Sequence, residues 1–290
     1  NAAEKTVMKL GVHVLPKFPR DTTDRNRTSP FAFTGNKFEF RMPGSSASIA
    51  DCNTMLNAAV AESLRLYADR LESAASFEDE LHDMIREVIQ AHKRIIFNGN
   101  GYDDAWIREA TEKRGLLNLR TTPDALPMLL EKKNIDMLTR HKIYSEAEIR
   151  SRYEICTENY CKTVNIEALT MVDMARGQIL PAVERYTRSL ADGCAAKCAL
   201  VPELSGRFER KTVKKLSMLT DEIDEAADRL DSALIRCRSI AAPDEQAAAI
   251  RDDILPKMAE LRVVCDEAES LTADDCWPFP AYDALLFGLD

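Results

Sequence analysis

The 290-residue chain is short of aromatic side chains, at 7%, and holds only 10 glycines and 12 prolines, a scarcity of turn-formers that describes a helix-leaning globular protein. No apolar run approaches the ~18 residues that a membrane-spanning helix needs, so no membrane role is expected. Positive charge is not in excess either: the formal net charge is −9, which argues against nucleic-acid binding by the whole chain. The eight cysteines include no Cys-x-x-Cys pair, and the four histidines (His13, His82, His92, His141) are scattered. Cys194 and Cys198 stand one helical turn apart but have no histidine nearby to complete a metal set. This usage predicts reduced, mostly buried thiols in a cytoplasmic protein. The start, Asn1-Ala-Ala-Glu-Lys5, is polar and has no initiator methionine, so it is expected to be a cut edge and not a secretory leader.

What is present is unevenly distributed. Residues 1–45 carry eight lysines and arginines against four acids, a balance of +4 that leaves −13 on the other 245 residues. A basic head on an acidic body is the place to look for an anion site.

The head reads as β structure and the body as helix, an α+β fold that is mostly α. Val7–Leu15 is a plausible strand closed by Pro16 and Pro19, and residues 22–30 are turn-rich. Lys37-Phe-Glu-Phe-Arg-Met42 alternates strictly, which places Lys37, Glu39 and Arg41 on one face and Phe38, Phe40 and Met42 on the other, toward a core. Beyond Pro43-Gly44 the period becomes helical. A helix capped by Asn53 or Thr54 is predicted to run to Glu72, with Leu56, Val60, Leu64, Tyr67 and Leu71 on its apolar stripe. Ser76 opens a second helix through Ile95, a third runs from Asp103 to Gly115, and Thr122-Pro123 begins another that Pro127 bends. A long helical stretch is expected from Ser145 to Leu190 with interruptions near Gly177 and Pro181, followed by a weakly patterned link over 192–210. Two last helices, 211–240 and 244–272, carry apolar stripes and form an antiparallel hairpin, with Pro256 a kink. The tail Trp277-Pro-Phe-Pro280 and onward is aromatic enough to fold back onto the body.

The chemistry is concentrated in residues 18–43. This stretch is dense in arginine, whose forked guanidinium suits phosphate and carboxylate, and it sets one carboxylate between two cations. A carboxylate so placed can hold a divalent metal beside anionic oxygens. A ladder of surface charges on a helical interaction module, with no catalytic role, is the competing reading.

Asn26-Arg-Thr-Ser-Pro-Phe-Ala-Phe-Thr-Gly-Asn-Lys-Phe-Glu-Phe-Arg41 resembles the corresponding segment of the glutamine synthetases of the third type. Gly115-Leu-Leu-Asn-Leu119, Asn159-Tyr-Cys-Lys-Thr163, Glu167-Ala-Leu-Thr-Met171 and Trp277-Pro-Phe-Pro280 are similar to the C-terminal region of the same type, so the resemblance covers essentially the whole chain. It implies a glutamate–ammonia ligase of nitrogen metabolism, in which ATP phosphorylates the γ-carboxylate of glutamate and ammonia displaces the phosphate. Glu39 is then a ligand to one of two Mg²⁺ or Mn²⁺ ions. Arg41 engages the glutamate substrate, Arg27 grips the transferring phosphoryl group and binds nucleotide, and Lys37 lies near ATP.

The resemblance further implies a cytoplasmic homo-oligomer of stacked hexameric rings, with partners limited to glutamate, ammonia and ATP. The family's other metal ligands stand on segments earlier than any here, so the chain is expected to begin part-way through the catalytic domain and to be inactive alone. The expected division is residues 1–110 for the end of the catalytic domain, 111–275 for a helical extension with its hairpin at 211–272, and 276–290 for the tail. Two departures stand out. Ala32 occupies the place of a second arginine found in other types, and Asp51-Cys52 replaces a common Asp-Pro.

Overall fold

A computed structural model describes residues 7–8, 18–19, 31–33, 37–41, 44, 47–280 and 285–286. Among the described residues four short strands precede ten α-helices, an α+β fold that is mostly α. Strands β1 (Val7–Met8) and β2 (Phe18–Pro19) pair antiparallel, as do β3 (Phe31–Phe33) and β4 (Phe38–Phe40), with Ala32 opposite Glu39. Of the strand expected over 7–15, the described part is Val7–Met8, and residues 9–17 lie outside the described residues.

The chain divides into two compact units, residues 1–119 with 135–145 and residues 120–134 with 146–290. In the first, α1 (Ala50–Glu72) and α2 (Phe77–His92) pack together, and Arg70 of α1 donates to Glu80 and, at 2.7 Å, to Glu87 of α2. Helix α1 begins ahead of the expected Asn53 or Thr54 cap. The Ala50 amide is met instead by the Ser48 hydroxyl at 3.1 Å, and the Thr54 hydroxyl donates back to the Ala50 carbonyl. A hydroxyl that bonds its own preceding turn is no longer free to cap. After a 3₁₀ turn at 93–95, α3 (Asp104–Arg108) is capped by the Asp103 carboxylate, which accepts from the Ala105 amide at 2.8 Å. A π-turn at 109–113 ends the helical run, and Gly115 takes the left-handed conformation at φ +62°. Trp106 stacks on Phe97 at 3.8 Å between ring centroids, with the Arg114 guanidinium 4.7 Å from its ring. Farther along the chain, Pro127 falls in a 3₁₀ turn (126–130) between α4 (Thr122–Ala125) and α5 (Lys132–Arg140).

The second unit is a stack of long helices. Helices α6 (Glu146–Met174) and α7 (Leu180–Leu200) form one run joined by a π-turn at 175–179. Helix α7 extends to Leu200, so most of the link expected over 192–210 is helical. The weak apolar pattern there marks a largely exposed helix end, not a break. Helix α8 (Arg207–Arg238) packs against α7 and against α10 (Leu255–Leu271), which α9 (Pro243–Ala249) precedes through a π-turn at 250–254.

Each of these two π-turns in the second unit is followed, after one leucine, by a proline, Pro181 and Pro256. The wider turn accommodates a residue that has no amide to donate and whose ring would collide with a carbonyl one turn back. The expected stripe of α8, Leu216, Leu219, Ile223, Ala226, Leu230, Ala233 and Cys237, is buried throughout and meets Ile250, Ile254, Leu261, Cys265 and Ala268 in one core. Trp277 and Phe279 pack against that core.

Candidate functional site

Strand β4 brings together three of the four residues singled out by sequence. Glu39 Oε2 accepts two hydrogen bonds from Arg41, from Nε at 3.2 Å and from Nη2 at 2.9 Å, and Glu39 Oε1 lies 3.9 Å from Lys37 Nζ. These contacts require all three side chains on one face, as the strict alternation anticipates. Exposure grades along the row: the Lys37 side chain is 61% exposed and that of Arg41 only 20%. The cross-strand partner of Glu39 is Ala32, which is buried. Directly paired residues share a face of a sheet, so the Ala32 methyl group lies on the face that carries Glu39. Arg27 lies outside the described residues, as does Met42.

The opposite face corrects one expectation. Phe38 and Phe40 do not enter a core: they are 64% and 43% exposed, and Phe31 stacks on Phe38 at 5.4 Å and meets Phe40 edge-on at 6.4 Å. The three rings line an open groove of about 380 Å³ with Ile49, Cys52, Leu56 and Val60 of the first helix and its approach. The stripe predicted for α1 is therefore partly a groove wall, with Val60 and Leu64 exposed. Period alone marks which side chains share a face and says nothing of what covers it.

A metal fits this face in kind and not in number. Glu39 offers hard oxygen donors with cations beside it to hold anionic oxygens, but Mg²⁺ requires six ligands. Among the described residues no three of His, Cys, Asp and Glu converge on a common point.

One polar cluster in the same unit was invisible to sequence reading. Glu62 of α1 accepts from Arg65 at 3.0 and 3.1 Å and from Arg140, and it lies 2.8 Å from His141 Nε2. The hydrogen bonds from Arg65 dominate in lowering the Glu62 carboxyl to about 2. The Glu62–Arg65 spacing is a helix signal, but nothing local announces a partner 79 residues away. In the second unit, a cavity of about 260 Å³ has an apolar wall of Met171, Leu261, Trp277 and Phe279 and a charged edge of Arg262, Asp266 and Glu269, and burial pushes the thiol of Cys265 there up to about 11.

In comparison with known proteins, the model of the glutamine synthetase C-terminal domain matches residues 80–197, and over nearly its whole length the chain is similar to part of several glutamine synthetases. A glutamine synthetase of Butyrivibrio fibrisolvens is 37% identical over 278 residues, covering 94% of this chain and 39% of that protein. The type-3 glutamine synthetase of Dictyostelium discoideum is 34% identical over 97% of the chain and 39% of its own length. A glutamine synthetase of Bacteroides fragilis is 34% identical over 98% of the chain and 40% of its length. The chain thus spans about two fifths of the curated relatives it matches. No helix among the described residues is long and apolar enough to cross a membrane.

Proposed function

We propose that this chain supplies the C-terminal part of a cytoplasmic glutamate–ammonia ligase that joins ammonia to L-glutamate through a γ-glutamyl phosphate at the expense of ATP. The observation that carries the reading is the co-facial Lys37–Glu39–Arg41 row, with Glu39 oriented by two hydrogen bonds from Arg41. A scaffold has no need of such a row.

In this reading Glu39 is one ligand of a Mg²⁺ or Mn²⁺ ion, which when bound neutralises phosphate charge and polarises the reacting oxygens. Arg41 binds the glutamate carboxylate, Arg27 stabilises the phosphoryl group in flight, and Lys37 faces ATP. Both steps gather negative charge, and cations fixed in advance stabilise it without reorganisation. Residues 1–110 act as the end of the catalytic domain, and its remainder, in a longer polypeptide, covers the phenylalanine groove. Residues 111–275 act as a helical extension that serves assembly into stacked hexameric rings, and 276–290 close back on it.

Titration of the purified chain with Mn²⁺ tests this reading. One carboxylate without companions is expected to bind no tighter than about millimolar, and the chain is expected to form no glutamine. In the complete enzyme Glu39→Gln should weaken one metal and nearly abolish activity. A micromolar site in the isolated chain that disappears with Glu39→Gln would overturn the assignment of the remaining ligands to other segments.

A further inference from the structure

The cavity of the second unit is walled by three different stretches of chain. Met171 and Met174 at the end of α6, and Ile179 in the π-turn that follows, form one side. Helix α10 forms the second, with Leu261 and Cys265 buried and Arg262, Asp266 and Glu269 at the edge. The third is the chain beyond α10, where the Trp277 amide donates to the Ala273 carbonyl at 3.1 Å and Trp277 and Phe279 line the cavity. Their rings stand 6.1 Å apart between centroids at an angle of 76°, which makes a corner of aromatic surface. Each is followed by a proline, Pro278 and Pro280, which narrows the backbone freedom of the residue before it. Little further ordering is then required of these two residues when a ligand arrives.

The edge is open to solvent and negative on balance. Arg262 donates to Asp266 on its own helix, and their side chains are 70% and 50% exposed. Glu269 is exposed and forms no ion pair among the described residues, although its charge reaches Arg262. One cation against two carboxylates leaves one negative charge beside an apolar, aromatic space.

We propose that this cavity binds a small organic cation of the alkylated ammonium class, its alkyl groups against Trp277, Phe279 and the two methionines and its charge toward Glu269. The lining selects the ligand. The ring quadrupole attracts a cation, and the same ring buries the apolar groups that such a cation carries. Methionine side chains are polarisable and adapt to an irregular guest. A bare metal ion or ammonium has no apolar surface to bury here, and an anion would meet Asp266 and Glu269. The volume, about 260 Å³, falls just below the usual range for drug-sized ligands and suits a trimethylammonium head on a short chain. None of these residues takes part in the ligase reading, and the proposal does not rest on it.

The test is a ligand-observed NMR titration of the 290-residue chain with choline and with 3,3-dimethylbutan-1-ol, which has nearly the same shape and no charge. Wild type should bind choline at least about tenfold more tightly than the alcohol, and added salt should weaken choline alone. Trp277→Leu keeps an apolar wall without the ring and should weaken choline by roughly 2- to 30-fold. Glu269→Gln keeps the size of the side chain and should weaken choline by about 2- to 5-fold while leaving the alcohol unchanged. Glu267→Gln, at a carboxylate of α10 that pairs with Lys215 of α8, should retain wild-type affinity. Because Trp277 packs against the core and its replacement can disturb the fold, the comparison of the two ligands on the wild-type chain stands by itself. Equal affinity for choline and the alcohol, no saturable binding of choline, or wild-type affinity for choline in both Trp277→Leu and Glu269→Gln would overturn the proposal.

Discussion

Glu39 and Arg41 show how much a single strand can prearrange. Both Arg41 donors converge on one oxygen of Glu39, and the second oxygen faces Lys37 at 3.9 Å. Lysine at position 41 has a point charge and no fork, and cannot hold a carboxylate while also turning to an anionic ligand. In the complete enzyme Arg41→Lys is expected to raise the KM for glutamate and to lower kcat/KM by about 10- to 1000-fold, roughly 1.4–4 kcal/mol of transition-state stabilisation. Under the proposed role of Arg27 at the transferring phosphoryl group, Arg27→Lys should act mainly on kcat. Steady-state kinetics at saturating ATP separate the two, and wild-type constants in either variant would return that arginine to the role of a surface charge.

Glu62 provides a pH test at the same scale. Folding lowers its carboxyl from 4.5 to about 2, chiefly through the hydrogen bonds from Arg65. Its stabilising contribution is therefore complete above the unfolded value and is lost as pH falls from about 4.5 toward 2. Urea midpoints of wild type and Glu62→Gln should differ most near neutral pH and converge in that acid window. A gap that stays constant down to about pH 2 would show that the carboxylate is not held by charge.

At the scale of elements, α8 is the clearest case of a pattern that burial confirms. Leu230 and Leu234 are fully or almost fully buried, while Ile235, next in sequence to Leu234, is 64% exposed. Leu230→Ala is expected to destabilise the fold by about 2–5 kcal/mol in urea unfolding, and Ile235→Ala by less than about 1 kcal/mol. Similar losses would mean that the α8 seam is not the core of this unit. The same α8 pattern was legible in sequence because a stripe of apolar residues at helical spacing is local information. The prolines were legible as interruptions but not in form. Pro181 and Pro256 follow π-turns that let the helical runs continue past them, and whether a proline stops a helix or widens one turn depends on the packing on either side. The end of α7 went unread because its outward residues are mixed and its hold comes from α8, against which it packs.

At the scale of the whole molecule, the hairpin of α8 with α9 and α10 shares one apolar core with α6 and α7, and none of Lys37, Glu39 and Arg41 belongs to that core. Deleting Lys211–Leu271 from the complete enzyme, with a short linker across the gap, is expected to impair ring assembly while ATP and glutamate affinity persist. Sedimentation paired with ligand titration checks this. An intact oligomer with altered ATP affinity would place the hairpin in the active site.

The amino-acid order by itself determined the helix-rich body, the buried stripe of α8, and the shared face of Lys37, Glu39 and Arg41. Each follows from a period of 3.6 or 2 that acts between near neighbours. Tertiary structure alone decided the rest, because it depends on which distant surfaces meet. It left Phe38 and Phe40 lining an open groove instead of a core. It brought Glu62 to Arg140 and His141 across 78 and 79 residues, and it set the Trp277 and Phe279 rings around one cavity with Met171 and Leu261.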